Sequence, residues 1–186
     1  MLSVVPIELL QWSKDDWVAD CISGAGKPLL SIINDNIDMP VTRTGSTLLH
    51  LATMTAHRPN VSIAVKVIST LLEWGANPNA KDDQGRTPLT NLITQSSSVL
   101  HHHEELAVSA LKLLFTKGAD GNVLFTPDFI KHEDHQWTLA HDLLDFKHGG
   151  ARWSLPKSAV ALLNIKLDFS LPDSRGQKPL NKKLIA

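Results

Sequence analysis

The sequence predicts an all-α solenoid of stacked helix–turn–helix units, and three observations carry that expectation. Two short phrases alternate along the chain, apolar residues recur at helical spacing after each, and glycine stands just past the last periodic residue of two of the helices. The first phrase occurs as Gly45-Ser46-Thr47-Leu48-Leu49-His50-Leu51-Ala52, Gly85-Arg86-Thr87-Pro88-Leu89, Gln136-Trp137-Thr138-Leu139-Ala140-His141 and Gly176-Gln177-Lys178-Pro179-Leu180. The second occurs as Leu71-Leu72-Glu73-Trp74-Gly75-Ala76-Asn77-Pro78-Asn79-Ala80, Leu113-Leu114-Phe115-Thr116-Lys117-Gly118-Ala119-Asp120 and the degenerate Leu162-Leu163-Asn164-Ile165-Lys166-Leu167-Asp168.

Each first phrase starts a helix. Thr47 and Thr87 suit the N-cap, where a hydroxyl accepts a free helix-end N–H, and Pro88 falls at N1, where a missing N–H costs nothing. In the short helices that follow, Leu89, Leu92 and Ile93, or Ala140, Leu143 and Leu144, make one apolar stripe. The longer second helices carry Val61, Ala64, Val65, Ile68, Leu71 and Leu72, and then Ala107, Ala110, Leu111 and Leu114, at the same spacing. Gly75 and Gly118 fit left-handed C-caps. Ahead of these units, Asp16–Ser23 and Pro28–Asn34 read as a degenerate helix pair over residues 1–40 that caps the stack. Units are expected over about 41–81, 82–122 and 123–172, with a partial unit over 173–186. That last unit is either an abbreviated cap, with Lys182 and Lys183 in water, or part of a longer chain.

Composition narrows the function. The 186 residues are 42% hydrophobic, enough to bury a core and to exclude intrinsic disorder. The formal net charge of −1 gives no overall field to draw nucleic acid. Cys21 is the only cysteine, which excludes an intrachain disulfide and fits a reducing compartment. Met1–Trp12 lacks a positive n-region and does not read as a secretory signal, and Val61–Leu72 is too short and too polar to span a bilayer. A cytoplasmic location is expected.

No catalytic constellation stands out. Cys21 lies beside Ile22 on an apolar face, and Gly24-Ala25-Gly26-Lys27 falls short of a phosphate-binding loop. Three consecutive histidines, His101 to His103, precede Glu104 and Glu105, but their side chains diverge, and the pattern fits an exposed loop entering a helix whose dipole the two glutamates complement. His132 and His135, with Glu133 and Asp134, form no stronger metal pattern. No enzyme activity, cofactor or metal is expected.

The two phrases resemble the ankyrin repeat, whose signature is T-P-L-H-x-A followed by a second helix ending in L-L-x-x-G-A-D-x-N-A. The resemblance covers about Asn36 to Ala186 and is densest over Leu71–Leu89, while the intervals between Thr47, Thr87, Thr138 and Lys178 all exceed the standard ~33 residues, so insertions are present. It implies finger loops between units, and His50 and His141 rings that hydrogen-bond neighbouring loops. Thr90 and Asn181 stand where those histidines would, which weakens the expected network at their junctions.

It also implies a non-catalytic protein–protein interaction module whose partner touches the fingers and the exposed side of the first helices. Carried over by position, the contacts are Arg43, Thr44, Ser46, Met54 and Thr55; Asp83, Gln84, Arg86, Thr94 and Gln95; Asp134, His135, Trp137, Asp145 and Phe146; and Ser174, Arg175 and Gln177. Trp137 and Arg86 are the leading candidates, because Trp and Arg dominate interface hot spots. In the competing reading, Trp137 folds back over the insertion to cover Phe125 and Phe129. Asn79 matches the asparagine that asparaginyl hydroxylases modify in ankyrin proteins. Three uses are expected to compete: a stand-alone binder of a protein partner, a bacterial effector acting in host cytoplasm, and the targeting array of a longer enzyme. An unfinished last unit and a net charge near zero also favour end-to-end self-association.

Overall fold

The computed structural model describes residues 36–54, 61–95, 104–127, 135–144, 155 and 157–179. The expected capping helices with Cys21, the His101–His103 insertion, Thr55, Phe129, His132, Asp134, Asp145, Phe146 and residues 180–186 lie outside the described residues. Six helices occur among those described: α1 Leu48–Met54, α2 Val61–Glu73, α3 Pro88–Gln95, α4 Glu104–Thr116, α5 Leu139–Leu144 and α6 Lys157–Lys166. Short helices alternate with long ones. α1 packs on both α2 and α3, α2 on α4, and α4 on α6, so successive helix pairs stack side by side. None of the described helices is long and apolar enough to cross a membrane.

The expected hydroxyl cap forms at Thr87, whereas the Thr47 hydroxyl pairs with His50 Nδ1 at 2.9 Å. Thr87 Oγ1 accepts from the N–H of Thr90 at 3.4 Å, and Thr90 Oγ1 accepts from the N–H of Thr87 at 2.7 Å, a reciprocal capping box that satisfies two helix-end donors. At α1 the returning acceptor is an imidazole: the Thr47 N–H donates to His50 Nδ1 at 3.2 Å. At the other end of α2, Gly75 takes φ +92°, the Ala76 N–H reaches Leu71 O at 2.9 Å and the Gly75 N–H reaches Leu72 O at 3.3 Å. Gly118, at φ +88°, closes α4 the same way. This is the Schellman pattern, whose left-handed residue is cheapest as glycine. α6 has no glycine there and ends on a simple turn, Leu167 N–H to Leu163 O at 2.9 Å.

Packing departs from the expected single stripe. Leu89, Leu92 and Ile93 are fully buried, as are Ile68, Leu71, Leu111 and Leu114 on the second helices. Yet α1 buries Leu48 through Thr53, and α5 buries all six of its residues, including His141 and Asp142. A six- or seven-residue helix held between neighbours has little free face, so the first helices form a covered middle layer. Each fully buried leucine there contributes roughly 1.5–3 kcal/mol to stability.

Candidate functional site

Between helix pairs the chain runs out into hairpin fingers, and one backbone device closes several of them. In the second finger Asp82 Oδ1 accepts from the N–H groups of Gln84 and Arg86 at 3.0 and 2.9 Å. Asp173 Oδ1 does the same for Arg175 and Gln177 at 2.9 and 2.7 Å in the fourth. In the first finger a neutral hydroxyl serves instead, Thr42 Oγ1 accepting from the Ser46 N–H at 2.9 Å. The third finger closes through paired backbone bonds of 3.0 Å each between Phe125 and Trp137, an isolated antiparallel bridge.

Adjacent fingers are tied tip to tip. The Asp83 N–H donates to Thr44 O at 3.1 Å, the Thr126 N–H to Gln84 O at 2.8 Å, and the Ser174 N–H to Gln136 O at 2.8 Å. The opposite edge carries its own ladder of short polar side chains. Asp38 Oδ1 accepts from the Asn77 N–H, Asn79 Oδ1 from the Asp120 N–H and Asn122 Oδ1 from the Asp168 N–H, at 2.8, 2.7 and 2.8 Å. Asn79 also donates Nδ2 to Gly118 O at 2.9 Å, so both ends of its amide are spent on the next loop.

Two imidazoles cross between units. Because backbone N–H groups donate to Nδ1 of His50 and of His141, the proton sits on Nε2 in each ring. Nε2 then donates to Arg86 O at 3.0 Å from His50, and to Gln177 O at 2.9 Å from His141. Burial lowers the pKa of His50 and keeps it neutral, outweighing the bond to Arg86. Thr90 closes its own cap but has no ring with which to reach the third unit.

Against this geometry the candidate contacts separate. Arg43, Thr44, Asp83, Ser174, Arg175 and Gln177 are exposed at the finger tips, and Gln84 and His135 are partly exposed. Met54 and Thr94 are half-buried near the ends of α1 and α3, and Gln95 closes α3. Ser46, Arg86 and Trp137 are buried and are corrected as surface contacts. The Arg86 guanidinium turns inward to Asp82, Nε to Oδ2 at 2.9 Å, with 10% and 0% of the two side chains exposed. Its sequence position is that of a finger, but an internal carboxylate captures its charge.

Trp137 is buried, as the competing reading expected, and its backbone pairs with that of buried Phe125, while Phe129 lies outside the described residues. Its ring stacks on His141 at 6.3 Å and meets His135 edge-on at 6.2 Å. Sequence reasoning missed Asp82 and Asp173. The signal for them is an acid placed three residues before the finger glycine, where Oδ1 meets the N–H groups of the turn. Burial pushes the Asp173 carboxyl up, but hydrogen bonds from His135, Gln177 N–H and Arg175 N–H together hold it below the ordinary carboxylate value. No group of three or more metal-ligating side chains comes together among the described residues.

In comparison with known proteins, a family model described as ankyrin repeat matches residues 44–83, from the first finger through α1 and α2 to the start of the second finger. No curated protein gave a significant match.

Proposed function

From the premise that the chain is an ankyrin-repeat protein, we propose that it works as a non-catalytic module that binds a partner protein along its finger tips. The carrying observation is the tied row of tips that leaves Arg43, Thr44, Asp83 and Arg175 exposed on a backbone fixed by hydrogen bonds. A preorganised edge loses little conformational freedom on binding, so its few charged groups can act as specificity contacts. The first helices contribute less to this surface than the family pattern implies, because α1 and α5 are covered. A cytoplasmic setting is part of the proposal and rests on the lone Cys21.

Photo-crosslinking residues placed at positions 43, 83 and 175 test this, with positions 66, 112 and 157 on the second helices as controls. A protein crosslinked from the finger positions alone, then shown to bind the purified chain and to lose affinity on Arg43→Glu or Arg175→Glu, is the expected result. Crosslinking only from the second helices would sink the assignment. For Asn79 we propose hydroxylation on the family resemblance, and the bonds it makes to the loop at 118–120 require that loop to open first. Incubation with an asparaginyl hydroxylase should add one oxygen to the Asn79 peptide, and an unmodified peptide retires the idea.

A further inference from the structure

The second and fourth fingers share a carboxylate but not the source of the group that meets its second oxygen. In the second, Asp82 Oδ2 meets the guanidinium of Arg86, four residues on in the same hairpin. In the fourth, Gln177 stands in the place of Arg86 and is exposed, and Asp173 Oδ2 is met by His135 Nε2 at 2.9 Å, from the preceding finger. The second finger therefore closes with its own residues. The fourth makes the same internal N–H bonds to Asp173 Oδ1, but the group that meets Oδ2 comes from the neighbouring unit.

We infer that residues 173–177 form a detachable finger, latched to the third unit by His135 and able to open in a step of its own while the second finger stays shut. Among the described residues the 135–141 segment supplies docking hydrogen bonds, which include His135 to Asp173, Gln136 N–H to Ser174 Oγ at 2.8 Å, Ser174 N–H to Gln136 O at 2.8 Å, and His141 Nε2 to Gln177 O at 2.9 Å. Asp173 leaves only 3% of its side chain exposed, and a carboxylate stripped of the imidazole would stay dehydrated with one oxygen unmatched. Lifting the finger into water relieves that cost, whereas Asp82 faces no such choice because its partner moves with it. Opening takes exposed Arg175 out of the row of tips, so the latch controls how long that row is. This inference stands apart from any partner reading.

Amide hydrogen exchange on the whole chain tests it directly. In His135→Ala the amides of Asp173, Ser174, Gly176 and Gln177 should exchange at least about tenfold faster, the loss expected for a charge-assisted bond, while those of Asp82, Gly85 and Arg86 keep their wild-type rates. Adding Gln177→Arg supplies the fourth finger with the internal cation of the second, and the double variant should return toward wild-type protection. Unchanged exchange in the fourth finger of His135→Ala would overturn the latch. Equal acceleration in both fingers would overturn it as well, since the hairpin would then open only with the whole stack. Failure of Gln177→Arg to restore protection would show that the lost partner of Asp173 Oδ2 is not what holds the finger.

Discussion

The junction between the first and second units and the junction between the second and third are built on the same backbone plan but joined differently. At the first, the His50 ring threads from the cap of α1 to Arg86 O, so helix start, neighbouring finger and buried ion pair form one hydrogen-bonded unit. At the second, Thr90 spends its hydroxyl on the cap of α3, and the crossing is left to the fingers and the polar ladder, through Thr126 to Gln84 and Asp120 to Asn79. A histidine at the third helical position does two jobs that a threonine can only half replace. The polar ties of the two junctions thus differ by one side chain, and their helix packing differs as well, α1 lying close on α3 while α3 makes little contact with α5.

The largest expected effect comes from breaking the tighter junction at its ion pair. Arg86→Ala leaves the Asp82 carboxylate buried without its cation, and should cost about 3–5 kcal/mol in chemical denaturation. A cost below 1 kcal/mol would mean that the guanidinium is a surface group after all. Next comes the contrast between caps. His50→Ala removes a capping acceptor and a cross-unit donor from a fully buried site, for a loss of about 2–4 kcal/mol, whereas Thr90→Ala should cost about 1–2 kcal/mol. Equal losses would erase the distinction between the two junctions.

A gain is expected one position further on. Asn91 is fully buried with neither end of its amide hydrogen-bonded among the described residues, and it occupies the place of Leu51 in the first unit. Asn91→Leu should raise stability by about 1 kcal/mol, read as a higher denaturation midpoint at unchanged slope. Any loss would point to a bond that the amide makes in solution. The smallest effect is a pH dependence at the first junction. Burial lowers the His50 pKa, so the unfolded chain takes up a proton near the ordinary value of about 6.5 while the folded chain does not. The stability held above that pH is then lost as pH falls toward the folded pKa. Comparing wild type with His50→Ala between pH 7.5 and 5 should show a shallower decline in the variant, and identical slopes would exclude His50 as the titrating group.

Much of this architecture was legible in the residues. The Thr87 cap, the Gly75 and Gly118 terminators and the apolar positions of the second helices depend on local spacing, which a sequence displays directly. The finger residues were harder, because an Arg or a Trp in a loop looks exposed unless its partner is known. Arg86 looks exposed unless it is paired with Asp82 four residues earlier, a contact that i,i+4 spacing in a closed hairpin allows. Trp137 depended on Phe125, across an insertion whose length hides the pairing. His135 and Asp173 lie farther apart still, and only stacking of successive units brings them together.

The hairpins sort adjacent residues into different duties: Asp82 faces in and Asp83 faces out, and Arg86 is locked where Arg43 and Arg175 are free to the solvent. Mutational drift at the outward letters can therefore change the surface of the finger row without touching what keeps it folded. A library randomised at positions 43, 83 and 175 should be rich in folded members, whereas one randomised at 82, 86 and 173 should be nearly barren, although the two sets interleave in the same few loops.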